Sequence, residues 1–242
     1  MSLSKEEALN LNKDIVNQQQ GIPLETNEIL EAPKSRDELY KKIKKWIYLQ
    51  DTKRIDIILA VAISVYQEGK PLWVFFVGGS GDAKSELIKP LERLPNARKI
   101  DQLTANTLAS GKKNAHDLGS ELEHKQTLLL FTDLACLTSL NKDEKKKIWG
   151  QFRTLYDGEI YKDTGSGVKK AYEDCHVNIL ACTTNAIKDE YHIHQQLGTR
   201  ELLFDTDPDP RHNKEKMRHA LNNKNKQKQM KKEIENAVLG FL

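Results

Sequence analysis

Continuous apolar runs alternate with helical stretches along most of the chain. The clearest run is Leu-Trp-Val-Phe-Phe-Val at residues 72–77, directly after Pro71. Runs of this kind, bounded by turn residues, are typical of strands buried on both faces of a sheet. Strands that alternate with helices predict an α/β fold with a parallel sheet covered on both faces. Further strands are predicted at residues 127–132, 177–183 and 202–204, with a short one near 98–101.

Helices are predicted on both sides of these strands. Ser35 begins the first helix as an N-cap, and Glu38, three residues on, completes a capping box. Residues 1–34 contain no aromatic side chain and are expected to form a loosely attached arm. We therefore divide the chain into an arm (1–34), a core (35–210) and a basic helical segment (211–242). The predicted helices span residues 35–49, 53–68, 85–93 and 142–156, with two more after residue 211, separated at 222–223.

Composition and charge indicate which cellular compartment and which partners to expect. Hydrophobic residues make up 38% of the 242 and charged residues 30%, and the longest uncharged apolar stretch, residues 57–66, is too short to span a bilayer. Three cysteines without a Cys-x-x-Cys pair argue against a disulfide framework, so we expect cytoplasmic localisation and no membrane partner. The net charge is +3, but residues 211–242 hold nine basic and three acidic residues. That segment is either a nucleic-acid footprint or a solvated helix face.

A glycine-rich octapeptide follows the strongest predicted strand and precedes a predicted helix. It matches the Walker A pattern G-x-x-x-x-G-K-[ST], with Ala83 in place of the last glycine. In this pattern backbone N–H groups surround the phosphates, the lysine contacts the β- and γ-phosphate oxygens, and the hydroxyl binds Mg²⁺. We therefore predict a site for ATP and Mg²⁺, in which Asp82 is awkward because its carboxylate repels phosphate unless it points away. The predicted nucleotide-binding residues are Gly78, Gly79, Ser80, Gly81, Asp82, Ala83, Lys84 and Ser85.

Three further polar residues stand at strand ends or turns. Asp133 follows the run at 127–132 and would hold Mg²⁺ with Ser85 or activate the attacking water; otherwise it caps the next helix. Asn185 ends the following strand, where a polar side chain reaches the γ-phosphate, although Asn is also a common turn residue. Arg200 precedes the last strand and is either an arginine finger for a neighbouring subunit or a surface arginine. The predicted catalytic residues are Lys84, Asp133, Asn185 and Arg200.

These features, in this order, resemble the AAA+ ATPases over roughly residues 35–242. The alanine before the Walker lysine is similar to that of the minichromosome-maintenance helicases. The resemblance implies a P-loop NTPase fold with a pre-sensor β-hairpin and a C-terminal helical lid. It also implies a homo-oligomer, expected to be a hexamer, with Arg200 as finger, Asn185 as first sensor and a second sensor near Lys216 or Arg218. Residues 71–73, 103–111, 155–160, 197–200 and 237–242 are also similar to the ATPase modules of phage and plasmid replication proteins of helicase or primase–helicase type.

Residues 159–172 are expected to form the hairpin, with Gly-Ser-Gly at 165–167 as its turn. In the minichromosome-maintenance group the corresponding hairpin points into a central channel and touches DNA. The resemblance therefore implies lysine contacts with DNA, while Tyr161 or Tyr172 is able to stack on a base. A surface hairpin with ordinary lysines is the alternative. The predicted DNA-binding residues are Lys162, Lys169 and Lys170.

Three functions fit this sequence. The leading one is an ATP-hydrolysing DNA motor, a helicase or translocase module of a mobile-element or phage-type replication system, acting on single- or double-stranded DNA. The second is an AAA+ switch that loads or regulates a replication or transposition partner. The third is a nucleotide-binding scaffold with weak hydrolysis, because no second acid follows Asp133 and because Asp82 lies within the phosphate loop.

Overall fold

The computed structural model describes residues 32–112, 116–164, 167–189, 200–206 and 210–242. Most of the predicted N-terminal arm, two residues of the predicted hairpin turn (165–166) and the residues just before Arg200 lie outside the described residues. The helices are α1 (Arg36–Trp46), α2 (Lys53–Ser64), α3 (Lys84–Ile88), α4 (Leu118–Leu122), α5 (Ala135–Thr138), α6 (Lys142–Tyr156), α7 (Ala186–Asp189), α8 (Asn213–Asn223) and α9 (Gln227–Leu239). The strands are β1 (Trp73–Val77), β2 (Ala97–Lys99), β3 (Lys125–Phe131), β4 (Ile160–Asp163), β5 (Lys169–Tyr172), β6 (Cys175–Thr183) and β7 (Glu201–Asp205).

Five of these strands form one parallel sheet in the order β2-β3-β6-β1-β7. Strand β1 lies between β6 and β7, with Trp73 level with Ile179 and Glu201. Strand β6 separates β1 from β3, so the phosphate loop and the acid after β3 reach the same edge of the sheet. The predicted α/β class is confirmed: a central parallel sheet is flanked by helices, with a hairpin before β6 and a helical C-terminal segment.

The two faces of the sheet are covered by different hydrophobic clusters. Val74 and Phe76 of β1 pack in a cluster with α1, α2 and α9, whereas Trp73, Phe75 and Val77 pack in a second cluster with α6. Every residue of β1 is buried. Because successive side chains of a strand point to opposite faces, a sheet covered on both sides requires the uninterrupted apolar run seen at residues 72–77.

The helix ends show where local chemistry altered the predicted boundaries. The Ser35 Oγ accepts a hydrogen bond from the amide of Glu38 at 3.3 Å, which is one half of a capping box. The Glu38 carboxylate accepts from the amide of Lys34 at 2.7 Å, one residue before the position that the predicted box requires. Helix α2 ends at Ser64, earlier than predicted, and the Ser64 hydroxyl donates to the carbonyl of Val61 at 3.1 Å. Such side-chain bonds to the preceding turn compete with the helix. Helix α3 gives way after Ile88 to a 3₁₀ helix (Lys89–Arg93), because Pro90 has no N–H for the α-helical ladder.

The predicted hairpin is formed by β4 and β5, which pair antiparallel from Ile160 opposite Tyr172 to Asp163 opposite Lys169. Gly158, at a φ of 90°, ends the turn after α6, and its carbonyl accepts from the amide of Cys175 at 3.0 Å. This bond closes the base of the hairpin where β6 begins. The hairpin therefore leaves the core between α6 and the central strand β6.

The C-terminal segment consists of the two predicted helices with a break at Asn223. Helix α8 buries no side chain, whereas Ile234, Ala237 and Val238 of α9 belong to the same cluster as α1. Helix α9 is thus part of the core packing, and the action of this segment as a lid stays a prediction. Among the described residues, no helix combines the length and the apolar character needed to cross a membrane.

Candidate functional site

The phosphate loop joins the carboxyl end of β1 to the start of α3. Its turn uses the left-handed backbone region twice, at Gly81 with a φ of 77° and at Ala83 with a φ of 56°. Ala83 therefore adopts the conformation that the usual glycine would adopt, at a strain of roughly 1–2 kcal/mol. The amide of Gly78 donates to the carbonyl of Thr183 at 3.3 Å, which ties the loop to the end of β6.

The Walker lysine lies inside this loop. The Lys84 Nζ donates to the carbonyl oxygens of Gly78 at 2.8 Å and Gly79 at 2.6 Å. These contacts place the ammonium beside a cavity of about 350 Å³ at the carboxyl edge of the sheet. The cavity is lined by Ser80, Gly81, Asp82, Ala83, Lys84, Ser85, Glu86, Lys89, Thr132, Asp133, Cys182, Thr183 and Thr184.

Ser85 and Asp133 meet across this cavity. The Ser85 Oγ donates to the carbonyl of Thr132 at 2.8 Å, directly before Asp133. One carboxylate oxygen of Asp133 accepts from the amide of Ala135, the first residue of the short helix α5, at 2.8 Å, although the N-cap position itself is held by Leu134. A hydroxyl and a carboxylate are the oxygen ligands that Mg²⁺ prefers, so the donor set fits that ion.

Thr183 is the site residue that the sequence analysis missed. It is 2% exposed, lines the cavity, and its Oγ1 has no hydrogen-bond partner in the described structure. Such an orphaned hydroxyl at a cavity wall fits a bound polar ligand. Asn185, the predicted sensor, is exposed two residues further on and is not among the lining residues. Next to Thr183, burial raises the pKa of the Cys182 thiol to about 12, against smaller opposing effects of Ser85 and Lys84. This thiol is therefore protonated and uncharged at neutral pH.

The carboxylate of Asp82 is turned away from the phosphate position. It is 5% exposed and forms ion pairs with Arg54 of α2 at 3.2 Å and Lys216 of α8 at 3.1 Å. The Arg54 guanidinium also donates to the backbone carbonyls of Asp82 and Thr206. These ion pairs explain how an acid is accommodated in the loop, and no sequence signal marked Arg54 as a partner.

A second cavity of about 200 Å³ adjoins the loop on its other side. It shares Gly81, Ala83 and Glu86 with the first cavity and is otherwise bounded by the end of α1, by α8 and α9, and by Lys224 between them. The Tyr48 hydroxyl donates to Glu215 at 2.7 Å and fixes the ring at this wall. A mixed apolar and polar wall beside a phosphate cavity is suited to a nucleoside.

Arg200 lies far from the phosphate loop of its own chain. It directly precedes β7, whose five residues run parallel to β1 with Asp205 level with Val77. At about 3.3 Å per residue, Arg200 stands roughly 16 Å from the level of the loop. Its guanidinium instead contacts Asp157 Oδ2 at 3.1 Å and lies 5.3 Å from the centre of the Tyr156 ring.

The three hairpin lysines have different surroundings. The Lys162 Nζ donates to the Ala105 carbonyl at 3.0 Å, and burial, together with nearby Lys147, lowers its pKa. Lys170 is 9% exposed in its side chain and binds Asp117 at 2.5 Å. Lys169 is 80% exposed and lies 3.4 Å from Asp163. Only Lys169, among these three, presents its charge openly to solvent.

Comparison with known proteins finds only distant similarity to solved structures. No family model matches the chain, and no curated protein matches it. Among solved structures, the apo C-terminal region of NrS-1 is 14% identical with a TM-score of 0.42, over 91% of this chain and 49% of that chain. Hsp104 of S. cerevisiae in complex with casein is 16% identical with a TM-score of 0.46, over 79% and 39%. JCV helicase with a bound acetamide compound is 13% identical with a TM-score of 0.40, over 86% and 53%. The chain spans about half or less of each of these structures.

Proposed function

We propose that this chain is the ATP-hydrolysing module of a DNA motor, a helicase or translocase of a phage-type or mobile-element replication system. The observation that carries the ATPase part is the cavity in which Lys84, Ser85, Asp133 and the orphaned hydroxyl of Thr183 converge. The adjoining cavity at Tyr48 would hold the nucleoside.

Each residue of the cavity has a chemical role in this proposal. Lys84 would exchange the loop carbonyls for phosphate oxygens and so bring a cation to the transferring group. Ser85 and Asp133 would hold Mg²⁺, which would neutralise part of the phosphate charge. Thr183 would hydrogen-bond the γ-phosphate or the attacking water. The Ala135 amide engages one carboxylate oxygen of Asp133, so the other oxygen would orient the attacking water or hold the metal ion.

The position of Arg200 supports a site shared between subunits. A residue roughly 16 Å from its own loop cannot stabilise phosphoryl transfer there, whereas the same residue on an adjacent copy can do so. The proposed assembly is therefore a homo-oligomer, with a hexamer as the expected ring.

A specific observation favours the AAA+ switch as the second candidate. The Lys162 ammonium donates to the Ala105 carbonyl, and the Lys170 ammonium is paired with the Asp117 carboxylate. The hairpin therefore offers fewer lysines to DNA than its sequence suggests. A switch would use such a hairpin to contact protein.

The deciding experiment measures ATP turnover with and without single-stranded DNA, alongside the solution mass and unwinding of a forked duplex. A motor should form an oligomer, hydrolyse ATP faster with DNA and separate the strands. Turnover that is indifferent to DNA, with no unwinding, would favour the switch, and absence of turnover in an intact oligomer would contradict both.

A further inference from the structure

The turn that ends α6 holds the guanidinium of Arg200. Asp157 is the C-cap of α6, and its amide donates to the carbonyls of Thr154 and Leu155. The Asp157 carboxylate binds the Arg200 Nη2 at 3.1 Å, while the ring of Tyr156 lies against the same guanidinium. Arg200 is left only 22% exposed in its side chain.

The Tyr156 ring is itself fixed by the core. It packs edge-on against Trp73, with ring centroids 5.2 Å apart. The Trp73 Nε1 donates to the carbonyl of Val177 at 2.7 Å, and its side chain is buried. The two groups that hold Arg200 are therefore anchored to β1, β6 and α6, which are rigid elements of the fold.

We propose that Asp157 and Tyr156 are positioning residues that set Arg200 for action on the nucleotide of a neighbouring subunit. This inference rests on the proposed shared ATP site. A free arginine side chain has many rotamers, and ordering it during phosphoryl transfer would lower the rate. A carboxylate on one side and a ring face on the other hold the guanidinium plane before the reaction begins, which is how supporting residues raise the effectiveness of a catalytic group.

The same turn also carries the hairpin. Gly158 follows Asp157 directly, its carbonyl accepts from the Cys175 amide at 3.0 Å, and β4 begins at Ile160. The residue that holds Arg200 is therefore separated from the base of the hairpin by a single turn.

The test compares ATP turnover of Asp157→Ala and Asp157→Asn with that of the parent oligomer. We expect kcat to fall roughly 10- to 100-fold for the alanine variant, less for asparagine, with KM for ATP within about twofold of the parent, because misplacement of the finger leaves the loop intact. Tyr156→Leu should lose more turnover than Tyr156→Phe, which keeps the ring. Glu159→Ala, which removes an exposed carboxylate two residues along the same turn, is the matched control and should keep parent turnover.

Mixed oligomers separate a positioning role from a general loss of structure. Asp157→Ala mixed with Lys84→Ala should recover turnover, because the second variant offers an intact finger to the intact loop of the first. Asp157→Ala mixed with Arg200→Ala should not recover, since both lack a working finger. Recovery in that second mixture, or parent-level or raised turnover of both Asp157 variants, would overturn the inference. If Arg200→Ala mixed with Lys84→Ala fails to recover, the shared site itself is wrong and the inference falls with it.

Discussion

The carboxylate of Asp82 lies 3.1 Å from the ammonium of Lys216, so the phosphate loop is tied directly to the basic C-terminal segment. Arg54 approaches the same carboxylate at 3.2 Å from the opposite side. Two cations around one almost fully buried acid offset the repulsion that Asp82 would otherwise exert on a bound polyphosphate. The Lys216–Asp82 ion pair also joins helix α8 to the loop.

Replacement of Asp82 by Asn should lower stability while nucleotide binding is retained. Removal of one partner of a buried ion pair costs roughly 3–5 kcal/mol, and we expect the lower end because Lys216 is partly exposed. Thermal unfolding and titration with a fluorescent ATP analogue measure the two effects. Asp205→Asn, which removes an exposed partner of Lys188, is the control and should change stability by about 1 kcal/mol at most. Loss of nucleotide binding in Asp82→Asn would mean that this carboxylate serves the ligand directly.

Replacement of Lys84 by Ala should abolish ATP turnover and strongly weaken nucleotide binding. The ammonium is the cation nearest the loop carbonyls of Gly78 and Gly79, where the β- and γ-phosphates would lie. Steady-state turnover and nucleotide titration provide the measurement. Lys188→Ala, an exposed lysine outside the cavity, serves as the charge-matched control. Parent-level hydrolysis by Lys84→Ala would exclude this cavity as the active site.

Thr183→Val should reduce turnover more than Asn185→Ala does. Valine keeps the shape of threonine but removes the buried hydroxyl that has no partner in the described structure. Loss of one hydrogen bond to the transferring group lowers kcat by roughly 10²-fold. Single-turnover rates at saturating ATP compare the two variants. A larger loss for Asn185→Ala would restore the sensor role that the sequence predicted for that residue.

The sheet and the loop were predictable because their signals are local. The apolar run at 72–77 indicates a strand buried on both faces of the sheet, and the Walker pattern contains a lysine and a hydroxyl residue at adjacent positions. The order of these signals along the chain also placed Asp133 at the cavity edge, since the carboxyl ends of parallel strands meet there. The hairpin followed from its turn residues and its place before β6.

The contacts that tune the site were not predictable because they join distant parts of the chain. Asp82 meets Lys216 across 134 positions and Arg200 meets Asp157 across 43, and no local pattern marks such partners. The choice between Thr183 and Asn185 depended on where β6 ends relative to the loop, which is a matter of register. The solvent exposure of Lys169 and the burial of Lys170 depend on which face of the hairpin packs on Asp117.

The Asp117–Lys170 pair should make stability depend on acid pH. Burial opposes ionisation of Asp117, but hydrogen bonds from Lys170, the Ser110 amide and Tyr172 outweigh it, so the pKa of the carboxyl is lowered on folding. A lowered folded pKa means that the stabilisation is present above the unfolded value, about 3.9, and is lost as pH falls through the folded pKa. Asp117→Asn should therefore lower Tm at neutral pH, by an amount that shrinks below about pH 4. Asp163→Asn is the exposed control, and a Tm difference for Asp117→Asn that does not vary with pH would contradict the charge argument.

Lys169→Ala and Lys170→Ala, adjacent on β5, should affect different properties, DNA binding and stability, although each removes one positive charge. Lys169 is open to solvent, so its loss should weaken single-stranded DNA binding, reduce the salt slope by about 0.7 and blunt DNA-stimulated turnover. Lys170 is committed to Asp117, so its loss should lower Tm by several degrees. Binding titrations at several salt concentrations, with thermal unfolding of each variant, separate the two.

The basic C-terminal segment is the competing source of DNA affinity, and charge reversal at Lys224, Lys226 and Lys228 isolates it. Lys226 and Lys228 are exposed and lie outside both cavities, whereas Lys224 lines the second one. Basal hydrolysis should therefore persist when only Lys226 and Lys228 are reversed, and that double variant is the control for the triple one. If the hairpin holds DNA, the reversed variant should keep DNA-stimulated turnover even where its overall affinity falls, because long-range attraction and coupling to the site are separate properties. If the reversed variant no longer binds DNA while Lys169→Ala keeps both DNA affinity and DNA-stimulated turnover, the hairpin does not bind nucleic acid. The AAA+ switch would then be the better hypothesis. In that case the contacts of the three hairpin lysines with Ala105, Asp117 and Asp163 would stabilise the hairpin itself.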